Sequence, residues 1–462
     1  MDIRTAGAVL LMASYGCSAG GTQQADVRSP RELAATWDAE HVQQPLPPLL
    51  RHQDVEQRLR AVHRAVPDLF SIEQIGTSVE GRSINRLWFG RGRFHVLLWS
   101  QMHGDEPTAT AALFDLFEHV RRHRSGADVR RMLDTLTVHV VPMLNPDGAE
   151  RYQRRNAQGI DINRDALMLQ TPEGRALKAL RDRLNPRIGF NLHNQNWGTS
   201  VGHTGKAATI SLLSVAYDEA RSENEGRLLT KKVAGLVRDA VEAFAPGHVA
   251  KYDDSFEPRA FGDNITKWGT PVLLIETGAP GTSGDDVDTP LVRLNFVALV
   301  TALDALASGR AERADPARYE SLPMNDSGVL YQLIRRATVI TGTGVPPFTA
   351  DIGIAGQRIV REVDGQPAVL MQTRIEEFGD LSTFGALEVI DGSGLTIAPV
   401  FSPAVEQGAT VTLPTDWRAL ELTDIVGPGE PANLVLLRPN DGGQYTVERV
   451  FRNAAQESTP KK

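Results

Sequence analysis

Four apolar, strand-like runs in this chain each end close to a polar side chain capable of chemistry. The runs cover residues 94–100, 136–144, 188–192 and 271–275, and they are followed in order by His103, Asn145, His193 and Glu276. Short apolar runs of this length are typical of buried strands. If the runs are neighbours in one sheet, their carboxyl ends meet at the edge where open α/β sheets bind ligands. The pattern therefore predicts an enzyme site on an α/β sheet.

Amphipathic stretches alternate with these runs. Apolar positions recur at helical spacing in residues 54–65, 108–120, 174–184, 223–243 and 290–306. Residues 70–75 and 84–89 bracket a Gly-containing turn and predict a hairpin. This alternation predicts a mixed twisted sheet with helices on both faces, in a domain that covers residues 51–309. Residues 310–330 are charged, contain prolines, and are expected to form a linker or a packed connector.

The residue pattern of the sequence changes after this connector. Short β-branched runs are separated by Gly, Pro, Asn and Asp turns, and they cover residues 338–340, 368–372, 387–390, 410–413, 434–437 and 445–450. They predict a small all-β domain over residues 331–455, followed by a polar tail at 456–462. Residues 350–359, 389–395 and 432–437 resemble the accessory β-sandwich that flanks the barrel of amidohydrolases. No catalytic barrel lies between them, so this resemblance implies a fold and not that chemistry.

Composition and charge exclude some functions. The chain has 462 residues, of which 41% are hydrophobic and 23% are charged, as in ordinary globular proteins. The 49 basic and 57 acidic residues give a net charge of -8, and no basic stripe is present that would bind phosphate backbones. We therefore expect no nucleic-acid partner. Nothing in the sequence indicates an oligomeric state.

The single cysteine of the chain, Cys17, lies at the end of a candidate export signal. A short apolar stretch at residues 6–13 follows Arg4, and small residues precede the cysteine. The stretch is too short for a membrane span but suits a signal sequence. It resembles a bacterial lipoprotein signal over residues 1–17, although Ser14 replaces the usual leucine. We expect a lipid anchor at Cys17, a tether over residues 18–50 and an outer-membrane location facing the periplasm or the cell surface. An ordinary cleaved signal peptide is the alternative.

The first candidate residues are metal ligands. His103 and Glu106 are three residues apart directly after one strand, and His193 ends another. Two imidazoles and one carboxylate leave a fourth position for water, which is the arrangement of a catalytic zinc site. A His-x-x-Glu pair alone is weak evidence, but here both residues follow a strand and precede a helix start at Pro107. One Zn²⁺ is expected, although these ligand types also accept other divalent ions.

Other candidates would complete a hydrolase. Glu276 ends an apolar strand and is a candidate general base, with a helix cap or an ion pair as the structural alternative. Arg164, beside Asn163, offers a planar fork that can hold a terminal carboxylate. Arg154 or Arg155 can stabilise an oxyanion. A lone arginine is more often an ordinary surface group.

Taken together, these motifs resemble the zinc metallocarboxypeptidases of the carboxypeptidase A superfamily over about residues 72–305. They occur in the family's order: Glu80-Gly-Arg82, His103-Gly-Asp-Glu106, Asn145-Pro-Asp-Gly148, Arg154-Arg-Asn156, Asp161-Ile-Asn163-Arg164, His193 and Glu276. The resemblance implies zinc on His103, Glu106 and His193, with Glu276 as general base and acid. It also implies that Arg154 polarises the scissile carbonyl, that Asn163 and Arg164 hold the terminal carboxylate, and that Asp161 orients His103.

The resemblance leaves several points open. The family's closing tyrosine has a counterpart in Tyr252, which lies near the expected place without a clear alignment. Residues 261–267 are expected to shape the specificity pocket, but the sequence does not predict a side-chain preference or choose between nutrient and cell-wall peptides. No long propeptide is evident. The expected substrate is a peptide with a free carboxyl end. Alternatives are a zinc amidohydrolase acting on small acyl amino acids and a catalytically inert peptide-binding lipoprotein.

Overall fold

The region predicted to carry the site is built on one mixed eight-stranded sheet. The computed structural model describes residues 27–41, 49–279, 288–363, 365–416 and 425–453, so Cys17, the predicted signal peptide and the tail at 456–462 lie outside the described residues. The first nine strands are β1 (Ser71–Thr77), β2 (Ser83–Gly90), β3 (Phe94–Trp99), β4 (Leu136–Val141), β5 (Ile188–Asn194), β6 (Thr199–Val201), β7 (Ile210–Ser214), β8 (Val249–Lys251) and β9 (Val272–Thr277). All except β6 form the sheet, in the order β1-β2-β4-β3-β5-β9-β7-β8.

The four central strands run parallel, and they are the four strands predicted to carry the site. β4, β3, β5 and β9 are parallel neighbours, whereas β1, β2 and β7 join the sheet in antiparallel pairs. In β3, Val96 and Leu98 pack into one apolar layer, while Leu97 and Trp99 pack into the other. Both faces of a central parallel strand are therefore buried, as its continuous apolar run predicts.

Helices cover both faces of this sheet. In chain order they are α1 (Pro30–Glu40), α2 (His52–Ala65), α3 (Thr108–His123), α4 (Ala127–Thr135), α5 (Pro146–Glu150), α6 (Pro172–Leu184), α7 (Glu225–Glu242), α8 (Phe261–Lys267) and α9 (Asp288–Ala307). Residues of α1, α3, α7 and α9 share one core layer, and residues of α6 and α8 share the other. The predicted α/β sheet with helices on both faces is confirmed. Within α9, Thr289–Ala307 is long and apolar enough to cross a membrane, but 83% of that window is buried in the protein.

The segment predicted as a tether contains α1, so that prediction is wrong for these residues. Ser29 caps the helix: its hydroxyl accepts a hydrogen bond from the Glu32 amide, and the Glu32 carboxylate accepts one from the Ser29 amide. Leu33 and Trp37 are buried, and the Trp37 indole donates a 2.7 Å hydrogen bond to Asp115. The domain built on the sheet therefore includes this helix, because the apolar face of the helix packs into the core and the Trp37 indole has a hydrogen-bond partner there.

The connector between the two regions is packed and not free. It contains the short helices α10 (Arg310–Arg313) and α11 (Ala317–Glu320), and the buried Tyr319 hydroxyl accepts a 3.1 Å hydrogen bond from the Ser214 amide. It ends in β10 (Asn325–Ser327), which pairs antiparallel with β6. Of the two forms expected for residues 310–330, the packed connector is the one observed.

The C-terminal region is rich in strands, as predicted. It contains β11 (Val329–Val339), β12 (Phe348–Val363), β13 (Gln366–Gly379), β14 (Gly385–Asp391), β15 (Thr396–Pro399), β16 (Thr410–Thr412), β17 (Leu434–Pro439) and β18 (Gln444–Phe451). These strands form one continuous hydrogen-bonded sheet that branches at β11. The first part of β11 pairs with β14, and its last residues pair with β15.

Candidate metal centre and active site

Three buried side chains converge at the carboxyl ends of β3 and β5. One carboxylate oxygen of Glu106 lies 2.8 Å from His103 Nδ1, and the other lies 2.7 Å from His193 Nδ1. The two Nδ1 atoms lie 3.1 Å apart. Each side chain is at most 8% exposed. Strand register explains the convergence, because β5 lies next to β3 in the sheet and both strands end at the same edge.

The donor set fits a zinc ion. Zinc bonds of about 2.0–2.2 Å in tetrahedral geometry place neighbouring ligand atoms roughly 3.3–3.5 Å apart. The three donor atoms are a few tenths of an ångström closer than that, so a small side-chain adjustment admits the ion. In the part of the chain that the structure describes, His103, Glu106 and His193 are the group of His, Cys, Asp or Glu residues able to hold a metal. His₂Glu is the ligand set of a catalytic zinc site with one open position.

Electrostatics at this group favour an ionised carboxylate. Burial opposes ionisation of Glu106, but the neighbouring imidazoles His103 and His193 outweigh it and hold its pKa well below the usual range. Burial alone would lower the pKa of His103, but the carboxylates of Glu106 and Asp161 raise it to about 9. Burial lowers the pKa of His193. The carboxylate that faces both imidazoles therefore carries the negative charge that a cation would bind.

Asp161 orients His103 from behind. One of its oxygens lies 3.1 Å from His103 Nε2 and also accepts a 2.9 Å hydrogen bond from the Asn163 amide. The other accepts a 3.0 Å hydrogen bond from Arg154 Nε. A carboxylate on the second ring nitrogen fixes the imidazole with its Nδ1 towards the ion. Asp161 is therefore in position to orient His103.

Arg154 and Arg155, left as alternatives in the sequence, occupy different surroundings. Arg154 Nη1 lies 3.1 Å from His103 Nδ1 and 3.5 Å from Glu106, at the metal group. Arg155 is exposed and donates to the Gly159 carbonyl oxygen, away from the group. Only Arg154 is in position to meet charge that develops beside the metal.

Glu276 faces the same space from β9. It lies opposite His193 in the parallel β5/β9 register, so the two side chains share one face of the sheet. One of its oxygens is buried and has no hydrogen-bond partner among the described residues. Burial, followed by the negative charge of Glu106, raises the pKa of Glu276 to about 8. A buried carboxylate with a raised pKa and a free oxygen is typical of a proton-transferring group.

Tyr252 lies within the electrostatic reach of this site. The charge of Glu276, then burial, and then the charge of Glu106 raise the pKa of its phenol to about 12. Its backbone amide bonds the Leu212 carbonyl oxygen in β7, and its ring packs against the core layer under α6 and α8. The phenol therefore stays protonated at neutral pH and remains a hydrogen-bond donor beside Glu276.

Asn163 and Arg164 lie on the α8 side of the metal group. The Asn163 side-chain oxygen accepts a 2.9 Å hydrogen bond from the Phe261 amide at the start of α8, so part of this amide already supports the fold. Arg164 is partly exposed, and its Nε lies 3.4 Å from the Glu257 carboxylate. Its Nη1 donates to the Asn163 carbonyl oxygen. The guanidinium is thereby oriented and still reachable from solvent.

The metal loop, which carries His103 and Glu106 after β3, is held in place by backbone packing that the sequence motifs did not reveal. A Cβ atom on Gly104 would lie 2.1 Å from the Gly148 carbonyl carbon, so the loop rests directly on α5. Asn145 caps that helix through the Gly148 amide, and its side-chain nitrogen contacts the Met102 carbonyl oxygen. Buried Asp147 accepts a 2.7 Å hydrogen bond from Arg82 of the hairpin turn. The Asn-Pro-Asp-Gly motif thus supports the candidate ligands and is not one of them.

Comparisons with known proteins agree with this geometry. Residues 55–250 match the family model described as zinc carboxypeptidase, Peptidase_M14. Carboxypeptidase 2 of Trichophyton tonsurans is 26% identical over 147 residues, which are 30% of this chain and 27% of that protein. The carboxypeptidase N catalytic chain of Rattus norvegicus is 32% identical over 143 residues, covering 26% of this chain and 31% of the relative.

These relatives match over only about a third of their own length or less. Among solved structures, a metallo-carboxypeptidase from Burkholderia cenocepacia aligns with 56% of this chain and 69% of its own, at 19% identity and a TM-score of 0.46. The family match contains His103 and Glu106, which lie in the loop after β3, and also the third candidate ligand, His193. Residues 55–250 of this chain are therefore similar to the zinc carboxypeptidase family, and the match includes all three candidate ligands.

Proposed function

We propose that this protein is a zinc-dependent carboxypeptidase that hydrolyses the last or near-last peptide bond of its substrates. The observation that carries the proposal is the convergence of a three-ligand group with one open position and the free oxygen of Glu276 in one buried space. Zinc at this site supplies Lewis acidity, which polarises the scissile carbonyl and makes water more acidic.

The protein side chains divide the remaining work. Glu276 accepts the proton of the attacking water and delivers it to the leaving amine, so the same carboxylate acts first as base and then as acid. Burial raises the pKa of Glu276, and positive charge held by the neighbouring ligands would favour its ionised form. Arg154 donates hydrogen bonds to the carbonyl oxygen as negative charge develops there.

Recognition of the free carboxyl end falls to the α8 side of the site. Arg164 offers two parallel donors to a carboxylate, and Asn163 holds the neighbouring backbone against the start of α8. Tyr252 donates from the side of Glu276. A substrate placed this way has its last residue towards α8 and its scissile carbonyl at the metal group.

The size of the adjoining space favours peptides over small acyl amino acids. A cavity of about 1060 Å³ opens from Asp105 and Glu106. Pockets for small molecules occupy about 300–1,000 Å³, so this space exceeds what a single acyl amino acid needs. The amidohydrolase alternative is therefore the weaker one.

The test is amino-acid release from a mixed peptide library by purified protein. We expect release that a chelator abolishes and added zinc restores. Glu276→Gln should keep the metal and lose turnover, whereas His193→Ala should lose the metal. Retention is measured by metal analysis after dialysis. Undiminished release by Glu276→Gln would contradict the assignment of the base.

The carboxylate clamp has its own test. Arg164→Ala should reduce kcat/KM for peptides with free carboxyl ends, by about 10–100-fold for a bidentate charged contact, and should remove discrimination against amidated ends. Arg259→Ala is the matched control, because Arg259 also pairs with Glu257 but is more exposed than Arg164. If Arg164→Ala discriminates between the two ends as the wild type does, the clamp lies elsewhere.

We infer that the chain is exported and lipidated at Cys17 in the envelope of a bacterium. The support is the basic, apolar and small-residue order of residues 1–17. A lipidated protein incorporates a labelled fatty acid and partitions with membranes, and Cys17→Ser should abolish both. Labelling that persists in Cys17→Ser, or wild-type protein found only in the soluble fraction, would contradict the inference.

A further inference from the structure

The large cavity lies between the catalytic sheet and the C-terminal strands. On the catalytic side it is lined by Asp105 and Glu106, and on the other side by residues of β11, β12 and β13. Glu106 is a metal ligand, so the cavity opens directly onto the metal group. The C-terminal region therefore forms one wall of the space in front of the site.

The position of the cavity determines which part of a peptide can enter it. Asn163 and Arg164, the carboxylate clamp, are not among its lining residues, and they lie on the α8 side of the metal group. A peptide held by its carboxyl end at the clamp and cut at the metal must continue away from α8. Its residues upstream of the scissile bond then lie in the cavity.

The wall of the cavity combines aromatic and charged side chains from both regions. The rings of Trp197 and Tyr331 have centroids 6.4 Å apart, and the Arg358 guanidinium lies 5.9 Å from the Trp197 ring. Trp197 follows the third metal ligand in sequence, whereas Tyr331 and Arg358 belong to β11 and β12. Tyr, Trp and Arg are the side chains that most often dominate binding energy at protein interfaces.

Backbone contacts fix this wall relative to the metal group. β10 pairs with β6, which follows the loop after His193. The Val329 amide at the start of β11 donates a 3.1 Å hydrogen bond to the Gly198 carbonyl oxygen. A Cβ atom on Gly385 would lie 1.7 Å from the Gly205 carbonyl oxygen, so the two backbones are in direct contact. A wall held by such contacts is pre-organised for binding.

We propose that the C-terminal strands form the upstream half of the substrate cleft, and that Tyr331 and Arg358 bind peptide residues on the amino-terminal side of the scissile bond. This inference rests on the proposed carboxypeptidase function and names its substrate class: extended peptides of several residues. Dipeptides reach only the metal group and the clamp, so they gain nothing from this wall.

The experiment compares two substrates that share their last two residues, an N-acyl dipeptide and a hexapeptide. For each protein, the ratio of kcat/KM for the hexapeptide to that for the dipeptide is measured. Arg358→Ala should lower this ratio about tenfold, the loss of one well-placed contact. Arg361→Ala is the matched control, because Arg361 is on the same strand but three residues further, on the opposite face. Its ratio should equal that of the wild type.

Binding provides a readout that does not depend on turnover. The hexapeptide is titrated calorimetrically into Glu276→Gln protein with and without Arg358→Ala, and Tyr331→Ala is a second variant checked by thermal melting. About tenfold weaker hexapeptide binding supports the inference. An unchanged ratio together with unchanged binding overturns it, as does an equal loss for both substrates. A wild type that binds the hexapeptide but cleaves neither substrate refutes the carboxypeptidase function. The effect of Arg358→Ala on hexapeptide binding then tests the cleft assignment by itself.

Discussion

Acid should destabilise this protein through one buried histidine that takes no part in the proposed chemistry. His119 lies in α3 and is 3% exposed, with its ring 5.4 Å from Phe296 and 4.7 Å from His123. Neither ring nitrogen has a hydrogen-bond partner among the described residues. Burial, then the charges of His123 and Arg28, lower its pKa from 6.5 to about 3.

The sign of the effect follows from proton binding. Between pH 6.5 and about 3 the unfolded chain protonates this imidazole and the folded chain does not. The free energy of unfolding therefore falls as pH drops through this window, and above 6.5 the group has no effect. A pH of about 4.5 lies about two units below the pKa of the unfolded chain. The free energy of unfolding is therefore lower there by about 2.7 kcal/mol, since each unit corresponds to about 1.4 kcal/mol.

The assay is urea unfolding of the metal-free protein at about pH 7 and about pH 4.5, for the wild type and His119→Leu. The loss of stability on acidification should be about 2–3 kcal/mol smaller in the variant. Contributions common to both proteins, such as those of buried His139 and the metal ligands, cancel in this comparison. His203→Leu is the control, because that side chain is 95% exposed. An acid sensitivity of His119→Leu equal to that of the wild type would refute the reasoning.

Three further predictions concern the site and its support. Arg154→Ala should lower kcat about 100-fold or more in a peptide hydrolysis assay, while Arg155→Ala should leave it nearly unchanged; equal losses would contradict the assignment. Gly104→Ala should weaken zinc affinity about 10–100-fold in a competition titration, because its Cβ would displace the metal loop from α5; wild-type affinity would contradict this. Trp37→Ala should cost about 3–5 kcal/mol in denaturant unfolding, and a loss below about 1 kcal/mol would show that α1 is only loosely attached.

The central sheet and the ligands could be predicted because each signal is local. His103, Glu106, His193 and Glu276 each sit at the end of a continuous apolar run, and neighbouring parallel strands must end at one edge. The residues alone could not decide between Arg154 and Arg155, and only the family resemblance favoured Arg154, because adjacent residues differ mainly in the direction of their side chains.

The features that escaped the sequence depend on contacts between distant segments. α1 has few apolar positions in a short helix, and its burial is decided by Asp115 and α9, which occur much later in the chain. The cleft wall requires Trp197 to meet Tyr331, and no periodicity connects those positions. The branching of the C-terminal sheet could not be predicted for a similar reason: β11 pairs with both β14 and β15, and a list of strands does not reveal such branching.

The docking of α1 also bears on the order in which the chain folds. Its partner α9 is the last long helix of the catalytic region, and Asp38 of α1 pairs with Arg293 of α9 at 2.7 Å. During synthesis α1 emerges before α9 and therefore waits for this partner until nearly the whole catalytic region has followed. A contact between segments so far apart forms late, because closing the long loop costs entropy that only the assembled core offsets. Helix α1 is thus expected to dock in a late step of folding and not to nucleate the folding of the domain.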